Sequence, residues 1–176
     1  YTALSNKEDP REVVDVLRTY LAAMADVILK FEGTIGCFMG DGVFAFFGDP
    51  IYFEDHALRA VQCSMAMHDE LESLNKKWEG EGRIPLQIRV GIATGEVYVG
   101  NFGSKNYVEY SAIGPATNLA SRLESRARPG TTLVSEATHE AICTEYACRF
   151  VDRLQLKGFE RPQKAYEVGR GVAVSD

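Results

Sequence analysis

Two short apolar runs, residues 34–38 and 43–47, face each other across Met39-Gly40-Asp41-Gly42, and no helix can pass through that turn. Glycines on both sides of the aspartate supply the backbone freedom of a tight hairpin. One helix must therefore end before the hairpin and another begin after it. The first has a start signal: Asp9 as N-cap, Pro10 at the first helical position, and Glu12 three residues beyond the cap. Val13, Leu17, Tyr20, Met24, Val27, Ile28 and Phe31 then recur at steps of three and four, the signature of a helix with one apolar face. It should end near Lys30, before Gly33. After Pro50 a second helix is expected from about 52 to 78, with Leu58, Val61, Met65 and Leu71 on one side.

Residues 75–85 are polar and contain glycine, and read as a loop. Strands over 86–93 and 97–101 should meet in a hairpin at Thr94-Gly95-Glu96, and 107–113 forms another strand. Pro115 opens a helix to about 127. A strand over 132–134, a helix over 135–142 and strands over 149–156 and 165–169 complete the chain. The order α-β-β-α-β-β-β-α-β-α-β-β predicts an α+β fold, with helices packed on one face of a mostly antiparallel sheet. No repeat or internal boundary interrupts the 176 residues, enough for one domain to bury a core without disulfides or a structural metal.

Charge narrows the partners. The net charge is −6 and no Lys/Arg run occurs, so neither nucleic acid nor direct contact with an anionic membrane is expected. An anionic substrate would need a metal ion or a few placed cations. Cys37, Cys63, Cys143 and Cys148 form no C-x-x-C pair, which argues against zinc and for a reducing compartment. No signal peptide is present, and no apolar run approaches the ~18 residues of a membrane span. The chain reads as cytoplasmic, although upstream segments of a longer protein could anchor it.

Three segments carry candidate chemistry. Gly40-Asp41-Gly42 offers a carboxylate on a tight turn, suited to Mg²⁺, which binds through one or two carboxylates plus substrate phosphates. On its own it reads first as an ordinary turn aspartate. In the stretch from Tyr110 to Arg122, a strand feeds a helix on which Asn118 and Arg122 lie four apart, on one face. An amide beside a guanidinium could hold a ribose and a phosphate, or simply form a solvated face. Arg89-Val-Gly91-Ile-Ala-Thr-Gly95, followed by Val99-Gly100-Asn-Phe-Gly103, is glycine-punctuated, and structural roles suffice for it.

Together these segments are specific. Gly-Thr-Ile-Gly-Cys-Phe-Met-Gly-Asp-Gly-Val-Phe-Ala-Phe-Phe-Gly, Val-Gly-Ile-Ala-Thr-Gly, Ile-Gly-Pro-Ala-Thr-Asn-Leu-Ala-Ser-Arg-Leu and Leu-Lys-Gly-Phe-Glu-Arg-Pro occur in that order. In this the chain resembles the class III adenylyl and guanylyl cyclases, nearest their bacterial branch, over essentially its whole length. The resemblance implies a ferredoxin-like sandwich that pairs head to tail as a homodimer. It implies conversion of a nucleoside triphosphate, ATP before GTP, into a 3′,5′-cyclic nucleotide and pyrophosphate. Two ions, Mg²⁺ or Mn²⁺, would serve each site. Asp41 matches the second metal aspartate. The first is expected four residues before Tyr1, so residues 1–176 read as the catalytic domain without its first strand. Asn118 and Arg122 match the pair that orients the ribose and stabilises charge on the phosphate. Lys157 lies near a triphosphate-binding lysine. Cys37 and Ser111 occupy the base-reading positions: Ser111 fits the bacterial adenylyl type, whereas Cys37 stands where adenylyl cyclases carry lysine and guanylyl cyclases glutamate.

Other readings fit less well. Diguanylate cyclases require Gly-Gly-Asp/Glu-Glu-Phe at the hairpin, which is absent here. An RNA-binding sheet would want properly alternating aromatics in a basic surface, and Phe44, Phe46 and Phe47 do not provide it. A non-catalytic cyclase-like domain that dimerises and binds nucleotide is the rival that Cys37 favours.

Overall fold

Helix α1 (Pro10–Lys30) places Val13, Val16, Tyr20, Met24 and Ile28 on one buried face, as its periodicity requires. The structure, a computed structural model, describes residues 10–155 and 158–172. The expected N-cap, Asp9, lies outside them. α1 packs against α2 (His56–Gly80) through Cys63, Met67, Leu71 and Trp78, and this is the largest apolar cluster. Between the two helices run β1 (Thr34–Met39) and β2 (Gly42–Phe46), paired antiparallel as the glycine turn demands.

Helix α2 continues through 75–80, where a loop was expected. Trp78, 2% exposed, anchors the last turns in the core. Asn75 is polar for a reason that sequence pattern does not reveal. Its amide donates to the Leu86 carbonyl and its oxygen accepts from the Leu86 N–H, both at 2.8 Å. The side chain thus satisfies the returning backbone much as a neighbouring strand would.

The remaining elements are β3 (Val90–Ile92), β4 (Tyr98–Ser104), β5 (Tyr107–Ile113), α3 (Pro115–Arg126), β6 (Thr132–Ser135), α4 (Glu136–Ile142), β7 (Tyr146–Leu154) and β8 (Gln163–Val172). Among the described residues the strands form two hairpins, β1-β2 and β4-β5, and a four-stranded sheet in the order β3-β6-β8-β7. Every pairing is antiparallel except β3 with β6. The architecture is α+β with mostly antiparallel strands, the class expected from the element order.

The expected hairpin between β3 and β4 does not form. β3 pairs with β6, and β4 pairs with β5 over seven positions. The cause lies at Thr94: its N–H donates to Ser135 Oγ at 3.4 Å and its hydroxyl meets Thr138 Oγ1 at 2.8 Å. These bonds tie the end of β3 to the start of α4 and lead the chain away from its own strand.

Helix α3 lies directly on β3. A Cβ at Gly91 would stand 2.2 Å from both the Ala120 carbonyl oxygen and the Glu124 nitrogen, so glycine is what permits this approach. Arg89 pairs with Glu124 at 3.1 Å beside the same contact. Beneath β6 a buried polar chain is fully bonded: His68 Nε2 to Thr132 Oγ1 at 3.1 Å, Thr132 Oγ1 to Ser64 Oγ at 3.3 Å, and Ser64 Oγ to the Val61 carbonyl at 2.8 Å. All four cysteines are free thiols. Among the described residues no helix is long and apolar enough to cross a membrane.

Candidate active site

Asp41 occupies the exposed tip of the β1-β2 hairpin. Gly40 before it has φ +64°, a left-handed value that costs a side-chain-bearing residue ~1–2 kcal/mol, so the turn demands glycine there. Under this tip, α1 turns Tyr20 inward. The Tyr20 phenol is pushed up to about 12, first by burial and then by the nearby charge of Asp41. The hairpin therefore stands over the middle of α1 with its tip exposed.

Strand β1 carries a bulge. Ile35 pairs with Ala45 but Cys37 pairs with Phe44, leaving Gly36 as the extra residue. A Cβ on Gly36 would stand 2.7 Å from Phe44 Cδ1 and 3.5 Å from Ser111 Oγ. The bulge thus brings β1 against β5, and Cys37 and Ser111 onto neighbouring strands. Cys37 and Ser111, the positions expected to read the base, thus lie on adjacent strands.

Helix α3 begins at Gly114-Pro115, with the Asn118 N–H bonded to the Gly114 carbonyl at 3.3 Å. Leu119 and Leu123 point into the core, which leaves Asn118 and Arg122 exposed on the opposite face. A groove of about 1100 Å³ is lined by Cys37, Asp41, Ser111, Thr117 and Asn118 among others. Arg122 stands one helical turn beyond Asn118, outside that lining. Lys157 lies outside the described residues.

Among the described residues, the side chains of Asp41, Asn118 and Arg122 make no hydrogen bond or ion pair. No group of three or more His, Cys, Asp or Glu there could hold a metal by itself. Asp41 nevertheless suits a hard divalent cation: it is an oxygen donor on an open turn with room for substrate phosphates beside it.

The sequence reading passed over Glu109. It precedes Ser111 by two residues on β5, so both belong to one side of the strand. That two-residue period was the available signal. Glu109 accepts from Tyr107 Oη at 3.2 Å. Burial first, and then the hydrogen bond and charge of Glu109, raise the Cys37 thiol above its usual value.

The fold and site define a class. The adenylate and guanylate cyclase catalytic domain model matches residues 1–169, and the chain belongs to that family. It is 33% identical over 170 residues to adenylate cyclase 1 of Rhizobium meliloti, covering 96% of this chain and 26% of that relative. The chain thus spans about a quarter of that protein. Among solved structures it superposes on the adenylyl cyclase CyaB from P. aeruginosa with a TM-score of 0.92 and 38% identity, over 96% of this chain and 87% of the other. The guanylyl cyclase Cya2 gives 0.88 and 40%, over 98% and 87%.

Proposed function

We propose that this domain converts a purine nucleoside triphosphate, ATP by a narrow margin over GTP, into the 3′,5′-cyclic monophosphate and pyrophosphate. What carries the reading is that Asp41, Asn118 and Arg122, the polar groups of the family pattern, are exposed and unpartnered among the described residues. On the same helix Glu124 is instead paired with Arg89 at 3.1 Å. Polar groups left free at the surface are available to a substrate bound between two copies of the chain.

In the reaction the ribose 3′-oxygen loses its proton to water and forms a bond to the α-phosphorus, while the bond from that phosphorus to the β-phosphate bridge breaks, releasing pyrophosphate. Asp41 would be among the residues that hold Mg²⁺ or Mn²⁺, and the metal would supply Lewis acidity to the hydroxyl and offset the charge of the triphosphate. The Asn118 amide holds the ribose so that its 3′-oxygen lies in line with the bond to be broken. The Arg122 guanidinium meets the charge that builds on the phosphoryl oxygens. Ser111 accepts from the adenine amino group, and Cys37 adds only a weak donor.

The site works as a C₂ head-to-tail homodimer, Asp41 coming from one protomer and Asn118 with Arg122 from its partner. Supporting this, the hairpins present large apolar side chains to solvent: Met39 is 61% exposed, Tyr98 83% and Tyr107 66%.

The test is direct. The full-length protein is incubated with ATP or GTP and Mg²⁺ or Mn²⁺, and cyclic nucleotide and pyrophosphate are quantified. Equal yields of the two products, abolished by Asp41→Ala, are expected. Saturable nucleotide binding without either product would establish instead the non-catalytic reading that Cys37 favours.

A further inference from the structure

Cys37 and Ser111 sit on different hairpins, and among the described residues no strand ladder joins β1-β2 to β4-β5. A two-stranded hairpin is marginal by itself, and β5 buries only Ala112. Its place beside β1 therefore needs side-chain ties. Asp49, just beyond β2, touches both strands: its carbonyl accepts from the Thr34 hydroxyl at 2.6 Å, and its carboxylate accepts from Tyr110 Oη. Thr34 pairs with Phe46 at the start of β1, and the Phe46 ring lies 6.0 Å from that of Tyr110, centroid to centroid. Asp49 and Phe46 thus hold the Tyr110 side chain at its polar tip and at its ring. Two residues along β1 from Thr34, a Cβ at Gly36 would stand 3.5 Å from Ser111 Oγ. The hold on Tyr110 falls next to the point where Ser111 meets β1. Neither Asp49 nor Tyr110 is in the lining of the groove.

Resting on the cyclase reading above, we propose that Asp49 and Tyr110 form a clasp between the two hairpins, and that Asp49 is a positioning residue that keeps Ser111 within hydrogen-bonding range of the purine 6-amino group. Neither member of the clasp touches the nucleotide. It acts because N–H···O bonds hold only near 2.7–3.2 Å and weaken steeply off line, so a shift of β5 by about 1 Å breaks the one that Ser111 makes. A carboxylate acceptor makes the tie stronger than a neutral one would be. Asn118 and Arg122 are held separately, since their helix is seated on β3 at Gly91. The groups that hold ribose and phosphate therefore keep their places when the clasp opens, and what is lost is the reading of the base.

The experiment measures kcat/KM for ATP and for purine riboside triphosphate, which lacks the 6-amino group, in the full-length protein and in its Tyr110→Phe, Asp49→Ala, Asp49→Asn and Ser111→Ala variants. The parent should favour ATP by up to about tenfold, the worth of one neutral hydrogen bond. Tyr110→Phe keeps the ring beside Phe46 but loses the hydroxyl, and should bring that ratio close to one, as should Asp49→Ala. Asp49→Asn still offers an oxygen to Tyr110 and should keep most of the preference. Added to Ser111→Ala, Tyr110→Phe should change the ratio no further, because the clasp works through that serine. If the clasp only braces the fold, both nucleotides suffer alike, and an unchanged ratio overturns the inference. A parent indifferent to the amino group overturns it too. Should the parent yield no cyclic product, the cyclase reading fails by itself. The same ratio is then read from equilibrium binding of the two nucleotides, where an unchanged value again refutes the clasp.

Discussion

Strand β6 is buried at all four of its positions, whereas across the fourteen residues of β4 and β5 only Ala112 is buried. Polar groups divide the same way. Beneath and beside β6, His68, Thr132, Ser64, Ser135, Thr138 and Thr94 bond to one another. Around the hairpins, Asp41, Asn118 and Arg122 have no partner among the described residues, and Met39, Tyr98 and Tyr107 are left to solvent. One region meets these polar groups within the chain. The other leaves its groups open, and in the proposed function they are taken up by a nucleotide, cations and a second copy. Helix α3 joins the two, its inner face pressed on β3 and its outer face presenting Asn118 and Arg122.

If the outer face of α3 exists for the substrate, its effect should appear in turnover and not in stability. Arg122→Ala should lower kcat of the full-length protein by roughly 10²–10³, the usual cost of losing a charge-stabilising donor. KM should change little, because the complementary charge develops mainly in the transition state. Stability should stay within about 0.5 kcal/mol, as for an exposed unpaired side chain. Steady-state kinetics beside a denaturation curve decides the point: a loss confined to KM would make Arg122 a ground-state binding residue.

The inner face should behave in the opposite way. Gly91→Val would push side-chain atoms into the backbone at Ala120 and Glu124, and overpacking of this kind costs about 1–3 kcal/mol or more. The denaturation midpoint should fall, with activity lost only as the fold is lost. A variant as stable as the parent would break the claim that this contact seats α3.

A smaller effect separates the regions by pH. Burial foremost, and then the charge of Arg170, hold His68 below its usual value, while Asp69 opposes them weakly. Its contribution to stability is therefore complete above about pH 6.5, where the unfolded chain is also neutral at this residue. As pH falls through 6.5 the unfolded state takes up a proton that the folded state refuses, and stability declines until the folded value is reached. The parent should thus lose stability between pH 7 and 5.5 more steeply than His68→Gln. Parallel curves would show that His68 does not titrate as a buried group.

The sequence disclosed elements better than partners. α1, the Gly40-Asp41-Gly42 turn and β5 follow from local period and turn chemistry, and they stand close to where pattern placed them. The pairing of β3 with β6 did not follow, because Thr94, Ser135 and Thr138 decide it across some forty residues. Asn75 read as loop because its polarity serves Leu86, not solvent. At the site, Asp41, Asn118 and Arg122 were legible as family motifs. Glu109 was not: Tyr107-Val-Glu-Tyr-Ser111 reads as any half-exposed strand until β1 is laid beside it.

The central claim is that the open region completes its chemistry with a second copy, and mixing two crippled proteins tests it most directly. Asp41→Ala and Arg122→Ala forms of the full-length protein, each inactive alone, are combined under conditions in which exchange of protomers is demonstrated. In a head-to-tail dimer, half the reassorted pairs carry both substitutions, and each such pair keeps one site with Asp41 from one protomer and Arg122 from the other. An equimolar mixture should then recover about a quarter of the parent activity. No recovery from proteins shown to have exchanged would contradict a site shared between two copies.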